Sequence, residues 1–120
     1  MKNQKFINRL GFAWAGIRAA WKNEHSFRVQ TGFAIVLLIA LLLLRPPPIW
    51  WTLCFIMAVL VLAAELFNTA LESLIDHLHP EIHPAIKTAK DCAAGAVLLL
   101  SCGALVAGAV TLLVALGIVS

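Results

Sequence analysis

Residues 63–76 read Ala63-Ala64-Glu65-Leu66-Phe67-Asn68-Thr69-Ala70-Leu71-Glu72-Ser73-Leu74-Ile75-Asp76, with polar groups set inside a long apolar run. On a helix advancing about 100° per residue, Glu65, Asn68, Glu72 and Asp76 fall within one stripe roughly 80° wide. A charged side chain at the centre of a bilayer costs at least about 2.5 kcal/mol. Three carboxylates on one stripe therefore ask for a functional reason: a proton relay, an ion path or a metal site.

The rest of the composition says that the solvent around this stripe is a membrane. Of 120 residues, 62% are hydrophobic and 12% charged, and mean hydropathy is +0.93. A soluble domain carries about twice that charge. One small integral-membrane domain spanning residues 1–120 is expected. The net charge of +3 is uneven, because Lys2, Lys5, Arg9, Arg18, Lys22 and Arg28 all precede the first apolar run. A basic segment beside a membrane meets anionic lipid, and no basic-aromatic nucleic-acid module is present, so no nucleic-acid partner is expected. No apolar core with a small-residue cleavage site marks a secretory signal, and the N-terminus is expected to be retained. Cys54, Cys92 and Cys102 lack metal-ligand spacing and read as buried, inert thiols.

Residues 4–28 read as an amphipathic surface helix. Phe6, Leu10, Trp14, Ile17 and Trp21 recur at helical spacing, while Lys5, Arg9, Arg18 and Lys22 lie largely off that stripe. A helix packed only against protein is the alternative. The first span, about 29–45, holds an uncharged stretch worth about 24 Å of helix, short for a hydrocarbon core of about 30 Å unless the flanking arginines snorkel. Arg45-Pro46-Pro47-Pro48 then stops the helix, and Trp50 and Trp51 suit an interfacial belt. The second span, about 49–78, reaches Glu65 after about 24 Å of rise, near the far edge of the hydrocarbon, with Glu72 about 10 Å beyond. Pro80 and Pro84 close it. A third span, about 88–119, has no charge after Asp91, and its small residues, Ala93, Ala94, Gly95, Gly103, Ala104, Ala107 and Gly108, suit close helix contact. Lys87 and Lys90 beside the 77–91 loop, against Arg45 alone in the other turn, place the N-terminus and that loop in the cytoplasm and the C-terminus outside.

All the acidic residues gather at that cytoplasmic boundary, and the outer halves of the spans carry no ionisable group. A path across the bilayer needs polar groups through its depth, so a channel or transporter is disfavoured. A catalytic site at the boundary fits better. Glu65 is either a structural carboxylate or a base that takes a proton from a lipid hydroxyl. Glu24 and Glu72 are either solvated acids or a pair able to hold Mg²⁺, which favours one or two carboxylates with phosphates and water. Asn68 orients either glutamate or satisfies a helix contact. Lys90 and Asp91 are flank residues or phosphate and nucleotide contacts. His77 and His79 point to different helix faces and Pro80 follows, so zinc at His77, His79 and His83 is not expected. No glycine-rich phosphate cradle is present, and phosphoryl transfer does not require one: carboxylate-held Mg²⁺ supplies positioning and charge neutralisation.

At these residues the chain resembles the prokaryotic integral-membrane diacylglycerol kinase family, which includes the undecaprenol kinases. Glu65-Leu-Phe-Asn68-Thr-Ala-Leu-Glu72 looks like the family's E-x-x-N-S/T-A-I/L-E signature. Trp21-Lys-Asn23-Glu24 with Phe27-Arg28, and Ala89-Lys90-Asp91 followed by small residues, match two further blocks. The resemblance implies an all-α membrane protein, a surface helix plus three transmembrane helices, assembled as a homotrimer with sites shared between subunits. It implies transfer of the γ-phosphoryl of MgATP to a lipid alcohol. Carried over by motif, Glu65 is the base, Glu24 and Glu72 hold Mg²⁺ with ATP, and Phe12, Glu81, Ile82, His83, Lys90 and Asp91 contact the nucleotide. Trp21, Arg28, Asn68 and Ala94 support the lipid side or the site geometry. Lys90 to Val97 and His83-Pro84 look more like the undecaprenol branch. The N-terminal block looks more like the diacylglycerol branch, and the balance favours diacylglycerol.

Overall fold

The protein is described by a computed structural model covering residues 5–120; residue 4, where the expected surface helix begins, and Lys2 lie outside the described residues. The described residues form four helices: α1 (Phe6–Asn23), α2 (His25–Leu44), α3 (Pro48–Leu78) and α4 (Pro84–Ala115). The last three are each long and apolar enough to cross a membrane.

The structure divides the stretch read as one helix over 4–28. Glu24 adopts an extended backbone (φ −116, ψ 109), ending α1 and opening α2 at once. No proline or glycine causes this break. The last carbonyls of α1 are instead satisfied from outside the helix, because Arg28 Nη1 donates to Trp21 O at 2.9 Å and Lys22 O at 3.0 Å. A guanidinium suits this duty, since a helix C-terminus leaves carbonyls unpaired and carries partial negative charge. α2 consequently starts ahead of the expected span. Its other end is Arg45, held left-handed (φ 51) before Pro46 and donating its N–H to Leu41 O at 2.9 Å. A residue before proline is disfavoured in the helical region, which is why the helix stops there.

α3 opens with Pro48 in its first turn, where the missing N–H costs nothing. α4 opens likewise with Pro84, and His83 caps it: the His83 Nδ1 accepts from the Ala85 N–H at 3.1 Å. α4 stops at Ala115, ahead of the expected 119. Gly117 (φ 77) allows its N–H to reach Val114 O while the Ile118 N–H reaches Leu113 O, the Schellman closure that glycine favours.

α3 and α4 make the most extensive helix pair, an antiparallel hairpin. Asp76–Lys90 at the loop end, Met57–Gly103 in the middle and Cys54–Thr111 at the far end set its register. A Cβ on Gly103 would meet Met57 Cε at 3.0 Å, so this glycine permits the close approach expected of small residues. Gly108 faces Leu37 of α2, whereas Gly95 faces open space. Cys54 is buried, as its apolar setting implied; Cys92 and Cys102 are exposed on the outer faces of α4. The apolar core of the single chain is small, formed by Ala20, Phe27, Leu41, Cys54 and Val61. Ala20 and Phe27 lie on either side of the Glu24 joint and pin α1 against the spans.

Candidate active site

Glu65 is the one fully enclosed carboxylate among the described residues, with 4% of its surface exposed. Isolated burial of a carboxylate is costly, so its surroundings carry the meaning. The Gln30 amide of α2 reaches it, and Glu24 and Glu72 both lie near enough to act on its charge. Gln30 is in turn tethered to α4, its Nε2 donating to Ser101 Oγ at 3.1 Å. Glu65 thus sits where polar groups from α2, α3 and α4 meet. The break at Glu24 serves the same place, since it lets a residue of the α1–α2 joint contribute a carboxylate.

One turn on from Glu65, Asn68 Nδ2 donates to Glu72 Oε1 at 3.2 Å, while the buried Asn68 Oδ1 has no partner. Buried side-chain acceptors are almost always paired, so this orphan marks a place where a donor belongs. Among the described residues no three His, Cys, Asp or Glu side chains form a ready metal site. A two-carboxylate arrangement is a different case. Glu24 and Glu72 each act on the charge of Glu65, and two hard carboxylates with an amide oxygen nearby would fit Mg²⁺ rather than a softer metal.

The other expected residues sort into two groups. Trp21 lines a cavity of about 430 Å³ between α1, α2 and α3, with Trp14, Ile17, Phe27 and Leu62 as apolar lining and Arg18 and Lys22 beside them. Arg28 is the clamp on α1 described above. Toward the α3–α4 turn, Glu81 and Ile82 are exposed, Ile82 at 95%, and His83 is engaged as a helix cap. Lys90 pairs with Asp76, and Asp91 accepts from Lys87 Nζ at 2.7 Å. Phe12 on α1 and Ala94 on α4 are exposed on the surface of the single chain. Gln30 and Ser101 were not anticipated. Their signal was an amide and a hydroxyl in runs free of charged side chains.

Residues 11–112 match the family described as prokaryotic diacylglycerol kinase. The chain is similar to a diacylglycerol kinase of Synechocystis sp., 39% identical over 103 residues, 85% of this chain and 59% of the relative. It thus spans less than two thirds of that relative. A diacylglycerol kinase of Escherichia coli strain K12 is 34% identical over 96 residues, covering 79% of this chain and 78% of the relative. An undecaprenol kinase of Bacillus subtilis strain 168 is 32% identical over 93 residues, 78% of this chain and 76% of the relative. With the match running from α1 to near the end of α4 and Glu65, Asn68 and Glu72 on successive turns of α3, the chain belongs to the prokaryotic diacylglycerol kinase family.

Proposed function

We propose that this protein transfers the γ-phosphoryl group of ATP to the hydroxyl of a membrane lipid, diacylglycerol giving phosphatidate. The observation that carries the reading is Glu65, enclosed among three helices yet within electrostatic reach of Glu24 and Glu72. Enclosure suits a base whose proton comes from a lipid alcohol, and the neighbouring pair suits a metal-bound nucleotide. The apolar cavity beneath α1 supports a lipid approaching from that side, with Trp21 in its wall.

In the reaction, the lipid oxygen forms a bond to the γ-phosphorus as the bond to the β-bridging oxygen breaks. ADP leaves with the electron pair, and the hydroxyl proton passes to a Glu65 carboxylate oxygen. Gln30, held by Ser101, keeps that carboxylate aimed. Asn68 holds Glu72 through its amide N–H and offers its free oxygen to the incoming hydroxyl or to a bound water. Glu24 and Glu72 would hold Mg²⁺, which would supply the neutralisation of phosphate charge that phosphoryl transfer mostly asks of a protein. Lys90, Asp91, Glu81, Ile82, His83 and Phe12 are assigned to the nucleotide side.

The same reading makes α1 a surface helix, since Phe6, Leu10 and Trp14 are exposed on the single chain and a membrane interface would cover them. It places the N-terminus and the α3–α4 loop in the cytoplasm, the C-terminus outside, and the protein in a bacterial inner membrane. A homotrimer with shared sites follows from the family resemblance. Undecaprenol is the second acceptor to consider, given the Bacillus relative and the Lys90–Val97 segment.

Incubation with labelled ATP and mixed micelles of diacylglycerol and undecaprenol tests the reading. Label in phosphatidate is expected, and label in neither lipid from folded protein overturns it. Glu65→Gln is expected to abolish transfer while MgATP still binds. Loss of nucleotide binding in that variant would move Glu65 into the metal site.

A further inference from the structure

Asp76 is the one member of the opening stripe that the proposed chemistry does not use. The structure pairs it, across the α3–α4 turn, with the Lys90 ammonium. The second lysine at this end is engaged as well, with Lys87 Nζ on Asp91 at 2.7 Å. Both cations nearest the turn therefore face carboxylates, and the patch is close to charge-neutral. An anionic nucleotide would find no uncompensated lysine here.

The two pairs differ in what they join. Lys87–Asp91 lies within one turn of α4 and can follow that helix wherever it goes. Asp76–Lys90 joins two helices and brackets the turn that carries Glu81, Ile82 and His83. Its members are solvent-accessible, with side-chain exposures of 61% for Asp76 and 35% for Lys90. Exposed pairs of this kind contribute little, because water screens the attraction and two long side chains lose freedom. A weak pair is easily surrendered to a ligand with several negative charges. It still keeps the ammonium at a defined position until such a ligand arrives.

We propose that Asp76 is a positioning residue for Lys90, holding its ammonium at the mouth of the α3–α4 hairpin and releasing it to the phosphates of the nucleotide. Asp76 then competes with the nucleotide for one cation. This rests on the assignment of Lys90 to the nucleotide side.

The test is equilibrium binding of MgATP to the full-length protein in detergent micelles, for wild type, Asp76→Asn, Lys90→Met and the double variant. Asp76→Asn is expected to tighten binding about two- to fivefold, the range an exposed ion pair can withhold. The gain is expected to vanish on the Lys90→Met background and to shrink at high salt, which screens the competing pair. Asp76→Glu, which keeps the charge, is expected to restore wild-type affinity. In turnover the effect belongs in KM for MgATP and not in KM for the lipid. Equal tightening with and without Lys90 would mean a general loss of negative charge and overturn the proposal, as would unchanged or weaker binding in Asp76→Asn. Nucleotide binding without phosphate transfer to any lipid would instead refute the kinase reading and leave the competition measurable.

Discussion

Arg28 offers the sharpest prediction about how this fold holds its site. Its Nη1 alone accounts for the carbonyls of Trp21 and Lys22, at 2.9 and 3.0 Å. Arg28→Met keeps most of the apolar stem and removes both bonds. Hydrogen bonds contribute about 0.5–1.5 kcal/mol each, and these are exposed, so the pair is worth roughly 1–2 kcal/mol. That loss raises the population with the end of α1 undone by about five- to thirtyfold. Arg28→Lys offers a point charge without the planar fork and is expected to recover about half of it. Hydrogen exchange read by mass spectrometry, on protein in lipid nanodiscs, follows the amides of residues 17–23. Faster exchange there in Arg28→Met, intermediate in Arg28→Lys and unchanged in the middle of α4, is the expected pattern. Exchange in 17–23 that is the same in all three proteins would refute the clamp, leaving the burial of Ala20 and Phe27 to explain the joint alone. Because Glu24 sits in that joint, Arg28→Met is also expected to weaken MgATP binding severalfold.

Ser101→Ala removes the acceptor that anchors Gln30. Roughly 0.7–1.4 kcal/mol of lost positioning corresponds to a three- to tenfold lower kcat with the KM for MgATP held within about twofold; a fall confined to KM would count against a role through Glu65. At the far end of the hairpin, Thr111 donates to Ala107 O at 2.7 Å and meets Cys54 Sγ at 3.2 Å. Thr111→Val is expected to lower stability by about 0.5–1.5 kcal/mol, the usual range for such bonds between membrane helices. Unfolding of the micelle-bound protein in increasing SDS reads it, and an unchanged midpoint would show that packing alone joins these helices.

The hydropathy runs and the prolines made the long helices legible. Pro46–Pro48 and Pro80 to Pro84 remove donors and block helical backbone, effects that act within a few residues and need no knowledge of the rest of the fold. The stripe was legible for a similar reason, since Glu65, Asn68 and Glu72 share a helix face whatever surrounds them. The Glu24 break was not. Nothing at Asn23-Glu24 forbids a helix, and what ends α1 is a guanidinium from the next element together with the burial of Ala20 and Phe27. Gln30 and Ser101 stand 71 residues apart, so their bond exists only once α2 and α4 are placed against α3. His83 matched a nucleotide position by resemblance, yet its ring is a helix cap. That could be read only from the backbone of Pro84 and Ala85. Asp76 was legible as a charge on a face, and its partner became visible only when the hairpin closed.

The α3–α4 hairpin is fastened unlike at its two ends. At one end the fastening is a buried thiol, a buried hydroxyl and a backbone carbonyl, none of which responds to ionic strength. At the other it is an ion pair open to water. The hairpin is therefore a clasp with a dry rivet and a wet latch. Salt and anionic ligands act on the latch and leave the rivet untouched.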